Sequence, residues 1–136
     1  MDNPTQLIVS LRDLERLEAL LEAMPPVALR DQEALMDELD RADIRLPQDM
    51  PPDVVTMNST VRFALAVPRK EFCLTLVYPE DAGGEDRISV FAPVGSALLG
   101  LAAGTAIEWP RPRGGLISIE LLEVVAQPER EGDYLR

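Results

Sequence analysis

The sequence has no histidine in its 136 residues. That absence removes the Ser-His-Asp triad, the Cys-His pair, every imidazole metal ligand and the usual acid–base group at neutral pH. Cysteine is almost missing as well. Cys73 stands alone, which excludes an internal disulfide framework and a cysteine zinc site. Lys70 is the one lysine, and no GxxxxGK[ST] or GxGxxG loop is present to cradle a phosphate. Aromatic residues make up 4% of the chain. No apolar run approaches membrane-spanning length. Met1–Thr5 show no basic stretch leading into an apolar one, so no secretory signal is expected. These gaps predict a cytoplasmic protein that is not an enzyme, with no catalytic residues, no metal, no cofactor and no membrane partner.

What the chain does have is acid. Asp and Glu number 24 against 13 Lys and Arg, a formal charge of -11. Nucleic-acid affinity comes largely from neutralising phosphates, so independent nucleic-acid binding is not expected. Apolar residues reach 46%, enough to bury a core and to exclude a disordered tail. The length suits one domain, or a small domain with an appendage.

Composition changes near residue 60. Residues 1–60 carry 13 acidic and 5 basic groups, and residues 61–136 carry 11 and 8. The first part is leucine-rich with helical spacing; the second holds Val, Ile, Phe and Gly in strand-like runs. Ser10 and Asp13 form a capping-box variant that opens a helix. Leu14, Leu17, Leu21 and Met24 then fall on one stripe, and Pro25-Pro26 end it. A second helix is expected from Arg30 or Asp31, with Leu35, Leu39, Ala42 and Leu46 as its stripe and Pro47 as its stop. Matching stripes predict an antiparallel coiled-coil hairpin over 1–46, about 21 Å long at ~1.5 Å per residue. Prolines 47, 51 and 52 predict a stiff linker over 47–60.

Residues 61–136 are read as an antiparallel sheet with one helix, so the fold class is α+β. Strands are expected at Val61–Val67, Phe72–Tyr78, Ile88–Phe91, Ala106–Trp109 and Leu116–Val125. Pro93 opens the helix and Gly100 closes it. Gly83-Gly84 and Gly114-Gly115 read as turns.

Candidate chemistry is sparse. Glu33, Asp37 and Asp40 share a helix face. They form either a metal site or, the blander reading, a solvated face, with Asp37 available to Arg41. Cys73 reads as a small, partly buried strand residue without an activating base. Trp109 could floor a pocket or simply fill core or rim.

The segment Ile88-Ser89-Val90-Phe91-Ala92-Pro93-Val94-Gly95-Ser96-Ala97-Leu98-Leu99-Gly100 resembles the C-terminal domain of the Gre transcript-cleavage factors. Gly104, Ile107, Trp109 and Gly114-Gly115 follow in that family's order. Glu38–Ala42, Asp53–Ser59, Thr75–Pro79, Ala92–Gly95, Gln127–Glu129 and Gly132–Leu135 resemble one branch, the regulators of nucleoside diphosphate kinase. The resemblance covers nearly the whole chain. It implies a domain with the fold of FK506-binding proteins behind a helical hairpin. It also implies a bacterial RNA polymerase core partner, gripped at the rim of the secondary channel.

In Gre factors, acidic residues at the hairpin tip help hold magnesium for two-metal hydrolysis of backtracked RNA. Here the tip reads Met24-Pro25-Pro26-Val27 with no Asp-x-x-Glu, and the finger is short. The expectation is therefore a polymerase-binding regulator that competes with Gre factors without stimulating cleavage. It would affect nucleoside diphosphate kinase level indirectly. The tip either touches polymerase or only caps the hairpin. Phe91, Ala92, Pro93 and Val94 match the loop that meets the channel rim, although Gre factors commonly have an acidic residue where Phe91 stands. Phe91 belongs to the sheet core, to an exposed patch with Val94, or to both. A monomer is expected, because one hairpin can satisfy its own stripe. The alternative is a peptidyl-prolyl isomerase or chaperone module, suggested by fold alone.

Overall fold

The computed structural model describes residues 7–66, 69–111 and 114–134. Met1–Thr5, Val67, Pro68, Arg113 and Leu135, each used in the sequence reading, lie outside the described residues.

The chain enters as a short strand, β1 (Ile8–Ser10), and turns at once into helix α1 (Leu11–Glu22). Ser10 is extended at φ -73° and ψ 147°, and its hydroxyl accepts from the Asp13 amide at 3.0 Å. This is the predicted N-cap. Pro25 and Pro26 end that helix but start another, α2 (Pro26–Arg30), because proline fits the first helical position. Helix α3 (Glu33–Arg41) follows.

The expected second helix does not run to Leu46. Ala42 is already extended at ψ 150°, and Asp43–Arg45 form strand β2, parallel to β1. Pro47 forces Leu46 into an extended conformation, at φ -69° and ψ 152°, and Ile44 suits a strand. Parallel strands need a crossover, and α1, α2 and α3 supply it. The N-terminal part is thus a helical arm closed at its base by a β1–β2 ribbon. Its stripes are not sealed against each other alone: Leu17, Leu21, Leu35 and Leu39 share one buried core with Phe63, Leu76 and Tyr78.

The stretch expected as a linker is also built into that core. Val54, Val55, Thr56, Met57 and Ser59 are buried. Val55 donates to Leu101 O at 2.9 Å and accepts from the Gly100 amide at 2.9 Å. The prolines at 51 and 52 stop regular structure, but the Val-Val-Thr-Met run after them is apolar and packs.

Five strands make the sheet: β3 (Thr60–Leu65), β4 (Lys70–Val77), β5 (Arg87–Ser89), β6 (Ala106–Pro110) and β7 (Leu116–Ala126), in the order β5-β4-β3-β7-β6. The sheet is mixed rather than antiparallel, since β5 lies parallel to β4. Helix α4 (Pro93–Leu98) packs against β5, β6 and β7. Gly100 takes φ +85° just beyond it, the left-handed stop expected of glycine.

Candidate functional site

The loop between β5 and α4 is held from behind by short polar contacts. Phe91 and Ala92 donate their amides to Ser89 Oγ at 3.1 Å and Ser89 O at 3.0 Å. Ser96 Oγ donates to Val90 O at 2.6 Å. Gly95 lets α4 sit against β5, since a Cβ there would fall 2.0 Å from Ser89 O. Phe91, Ala92, Pro93 and Val94 are all half-buried. Phe91 and Val94 pack on the margin of the core, so Phe91 is neither wholly core nor a free-standing patch.

The arm reaches this loop. Gln32 Nε2 donates to Phe91 O at 3.2 Å. Gln32 is 7% exposed, and its Oε1 is buried without a hydrogen-bond partner. Beside it lies a cleft of about 170 Å³ between α3, the loop and the end of β6. Leu35, Phe91, Pro93 and Trp109 form its apolar lining, and Arg30 and Arg111 stand at its edge. Trp109, 6% exposed, is both core and cleft wall. The tip lies apart from this cleft's lining: Met24 is half-buried, while Pro25, Pro26 and Val27 are exposed, Val27 by 75%.

At its base the arm is tied down by Asp13, read from sequence only as a capping carboxylate. Asp13 is 2% exposed. Its Oδ2 accepts from the Met57 amide at 3.0 Å and its Oδ1 from the Tyr78 hydroxyl at 3.4 Å. Arg16 lies over the Tyr78 ring at 4.0 Å, a cation–π contact. Burial pushes the Asp13 carboxyl up to about 7, against the pull of the Met57 amide; the nearby Glu129 charge pushes the same way. Burial also raises Tyr78 and Glu129. Glu129 accepts from the Thr56 hydroxyl at 2.7 Å.

Other expected features fall outside any site. Glu33, Asp37 and Asp40 are exposed, and no group of three metal-ligating side chains gathers among the described residues. Arg41 pairs with Glu38 rather than Asp37. Cys73 is exposed, not partly buried. It stands on a sheet face where Arg62 pairs with Glu71 and Glu123, and Arg69 with Glu71 and Glu120. The aromatics do not converge on one pocket. Phe63 and Phe72 stack at 5.4 Å and Tyr78 is buried under Arg16, while Tyr134 is exposed. No helix among the described residues is long and apolar enough to cross a membrane.

Gln32 and the Asp13 anchor were not legible as site residues. Each contact joins positions 44 to 65 residues apart, and no local pattern marks such pairs.

Comparison with known proteins agrees with this architecture. Residues 5–44 match the family described as "Rnk N-terminus". Residues 50–126 match "Transcription elongation factor, GreA/GreB, C-term". The chain is 46% identical over 136 residues to the "Regulator of nucleoside diphosphate kinase" of Escherichia coli K12, covering 99% of each chain. The Shigella flexneri protein of that description matches equally. Among solved structures, "Prokaryotic transcription elongation factor GreA/GreB from Nitrosomonas europaea" is 49% identical, with a TM-score of 0.70 over 90% of this chain and 100% of that one. With both halves matched in order and the full length shared, the chain belongs to the GreA/GreB transcription elongation factor family, in its branch of regulators of nucleoside diphosphate kinase.

Proposed function

We propose that this protein binds bacterial RNA polymerase core at the rim of the secondary channel, through Phe91–Val94, and does not stimulate transcript cleavage. The reading starts from family membership, and the observation that carries its second half is the tip. From Ala23 to Arg30 the sequence has no carboxylate. The exposed residues there are mainly proline, valine and alanine. Magnesium requires hard oxygen ligands, and this tip offers no side chain of that kind. The arm is short as well: α1 has 12 residues, about 18 Å at ~1.5 Å per residue. A factor that occupies the rim without delivering a metal competes with longer Gre factors and acts by occupancy. Any effect on nucleoside diphosphate kinase then runs through transcription. The protein acts as a cytoplasmic monomer, since its helical stripe is satisfied within its own core, and it needs no nucleic-acid contact of its own.

The test is binding to purified core polymerase with and without excess Gre factor, alongside cleavage of RNA in a backtracked complex. Displacement by the Gre factor with no added cleavage is expected. Binding without displacement would move the site elsewhere, and absence of binding at modest salt would overturn the reading.

A further inference from the structure

Strand β6 is the last in the sheet, and no strand lies beyond it among the described residues. The phase of its pairing decides which of its backbone groups are free. Leu121 donates to Thr105 O at 2.9 Å and Arg111 to Gly115 O at 3.0 Å. Antiparallel ladders bond every second residue, so Ile107 and Trp109 continue that series toward β7. The N–H and C=O of Ala106 and Glu108, and the C=O of Pro110, therefore point outward. Pro110 fits this phase, because its missing N–H falls where no ladder needs it. None of these outward groups has a backbone partner among the described residues.

The two faces beside the open edge differ. On the α4 face, Ile107 is half-buried and Trp109 is buried. On the other face, Ala64, Ala106 and Ser118 floor a groove of about 360 Å³. Alanine at 106 leaves that groove open toward the edge. Arg62, Arg69, Glu71, Glu120 and Glu123 on this face are tied into ion pairs, whereas Glu108 forms none among the described residues. Glu108 is exposed and lines the groove. A free carboxylate beside a floor of small side chains suits a Lys or Arg, whose stem lies on the alanines while its charged head meets the acid. Across paired strands, opposite charges attract and like charges destabilise. A second copy pairing β6 to β6 about its middle residue would set Glu108 against Glu108. The occupant is thus a different chain, and a basic one.

We propose that an extended segment of RNA polymerase adds to the open edge of β6, with a Lys or Arg side chain entering the groove to pair with Glu108. The neighbours of that cation in the added strand face the α4 side beside Ile107 and are apolar. Main-chain hydrogen bonds give such a strand its hold, and alternate side chains give it specificity. The edge adjoins the loop: Phe91, Pro93 and Pro110 line one cleft, and α4 packs against β6. One polymerase surface can therefore span both. This deepens the polymerase-docking reading and rests on it.

The test separates the two. Glu108→Lys reverses the charge, Glu108→Pro removes the outward amide without breaking the β6–β7 ladder, and Val94→Asp disrupts the loop alone. Each is checked for folding by thermal melt and measured for affinity to core polymerase. In parallel, hydrogen exchange by mass spectrometry follows residues 106–110 of the wild type, where the fast-exchanging amides are those of Ala106 and Glu108. The expected result is at least a tenfold loss of affinity for all three variants and slowed exchange over 106–110 in the complex. A loss for Val94→Asp alone, with both Glu108 variants within about twofold of wild type and exchange unchanged, overturns the added strand and leaves the loop reading standing. Wild-type affinity in all three overturns both. Slowed exchange on concentrating the protein by itself overturns the choice of partner.

Discussion

Asp13 serves two purposes that its place in the sequence does not separate. Its amide takes the Ser10 cap, and its carboxyl, three bonds further out, crosses to Met57 and Tyr78. Burial disfavours the charged form, so the group is raised to about 7 from an ordinary 3.8. A raised carboxyl binds a proton in the folded state that the unfolded chain has released. Its contribution is therefore complete below about pH 4 and lost as pH rises through about 7. The expected result is a urea midpoint that falls between about pH 5 and about pH 8 in the wild type. In Asp13→Asn, which stays neutral, the fall should be distinctly smaller, since only the general repulsion of an acidic chain remains. Equal slopes in the two proteins would show that Asp13 is not the titrating anchor. Arg12, Arg16 and Glu129 act on the same carboxyl or its partner Tyr78, so Arg16→Ala should push the midpoint of this transition further upward.

At the scale of elements, two local rules were overridden by packing. The Leu35, Leu39, Ala42, Leu46 periodicity is genuine for its first half. Beyond Arg41, pairing with β1 wins over helix continuation, because the ribbon satisfies backbone groups of 43–45 that would otherwise have to continue a helix into Pro47. The segment 50–59 follows the same logic. Gln127 donates to Pro51 O at 2.8 Å and Val54 O at 2.7 Å, and Arg130 to Pro52 O at 3.2 Å. A free linker would be cut readily by protease, whereas this segment should resist cutting until the whole molecule unfolds. Rapid cleavage within 54–59 of the native protein would contradict that placement. The α4–β5 contact gives a sharper test. Gly95→Ala places a methyl group 2.0 Å from Ser89 O, which backbone must move to relieve. A loss of at least ~3 kcal/mol is expected by chemical denaturation, at the upper end of overpacking costs. A variant as stable as wild type would mean that α4 rides higher over β5.

On the scale of the molecule, the formal charge of -11 is a long-range property and acts on encounter. Repulsion between like-charged copies favours solubility, and attraction to a basic partner speeds association. Raising ionic strength from about 0.01 M to about 0.15 M shortens the screening length from ~30 Å to ~8 Å. The association rate with polymerase should therefore fall steeply over that range while the dissociation rate changes little. Stopped-flow mixing reads both, and a salt-independent association rate would remove steering from the account.

Much of this protein was legible in its sequence. The Ser10 cap, the Leu17 and Leu21 stripe, the strand runs, Pro93 opening α4 and Gly100 closing it all depend on neighbours within about four residues, which is the range over which helix and turn energetics operate. The missing histidine and the lone cysteine are likewise properties of composition, and the segment Ile88–Gly100 indicated the family in combination with the motifs that follow it and those spread along the rest of the chain. What only the tertiary structure decided are the contacts that close long loops: β1 beside β2, Asp13 under Met57, and Gln32 against Phe91. Their residues are ordinary where they stand in the chain. They acquire a role because burying the arm's apolar stripe on the sheet core brings polar groups to the same dry seam, and a polar group taken out of water must find a partner there.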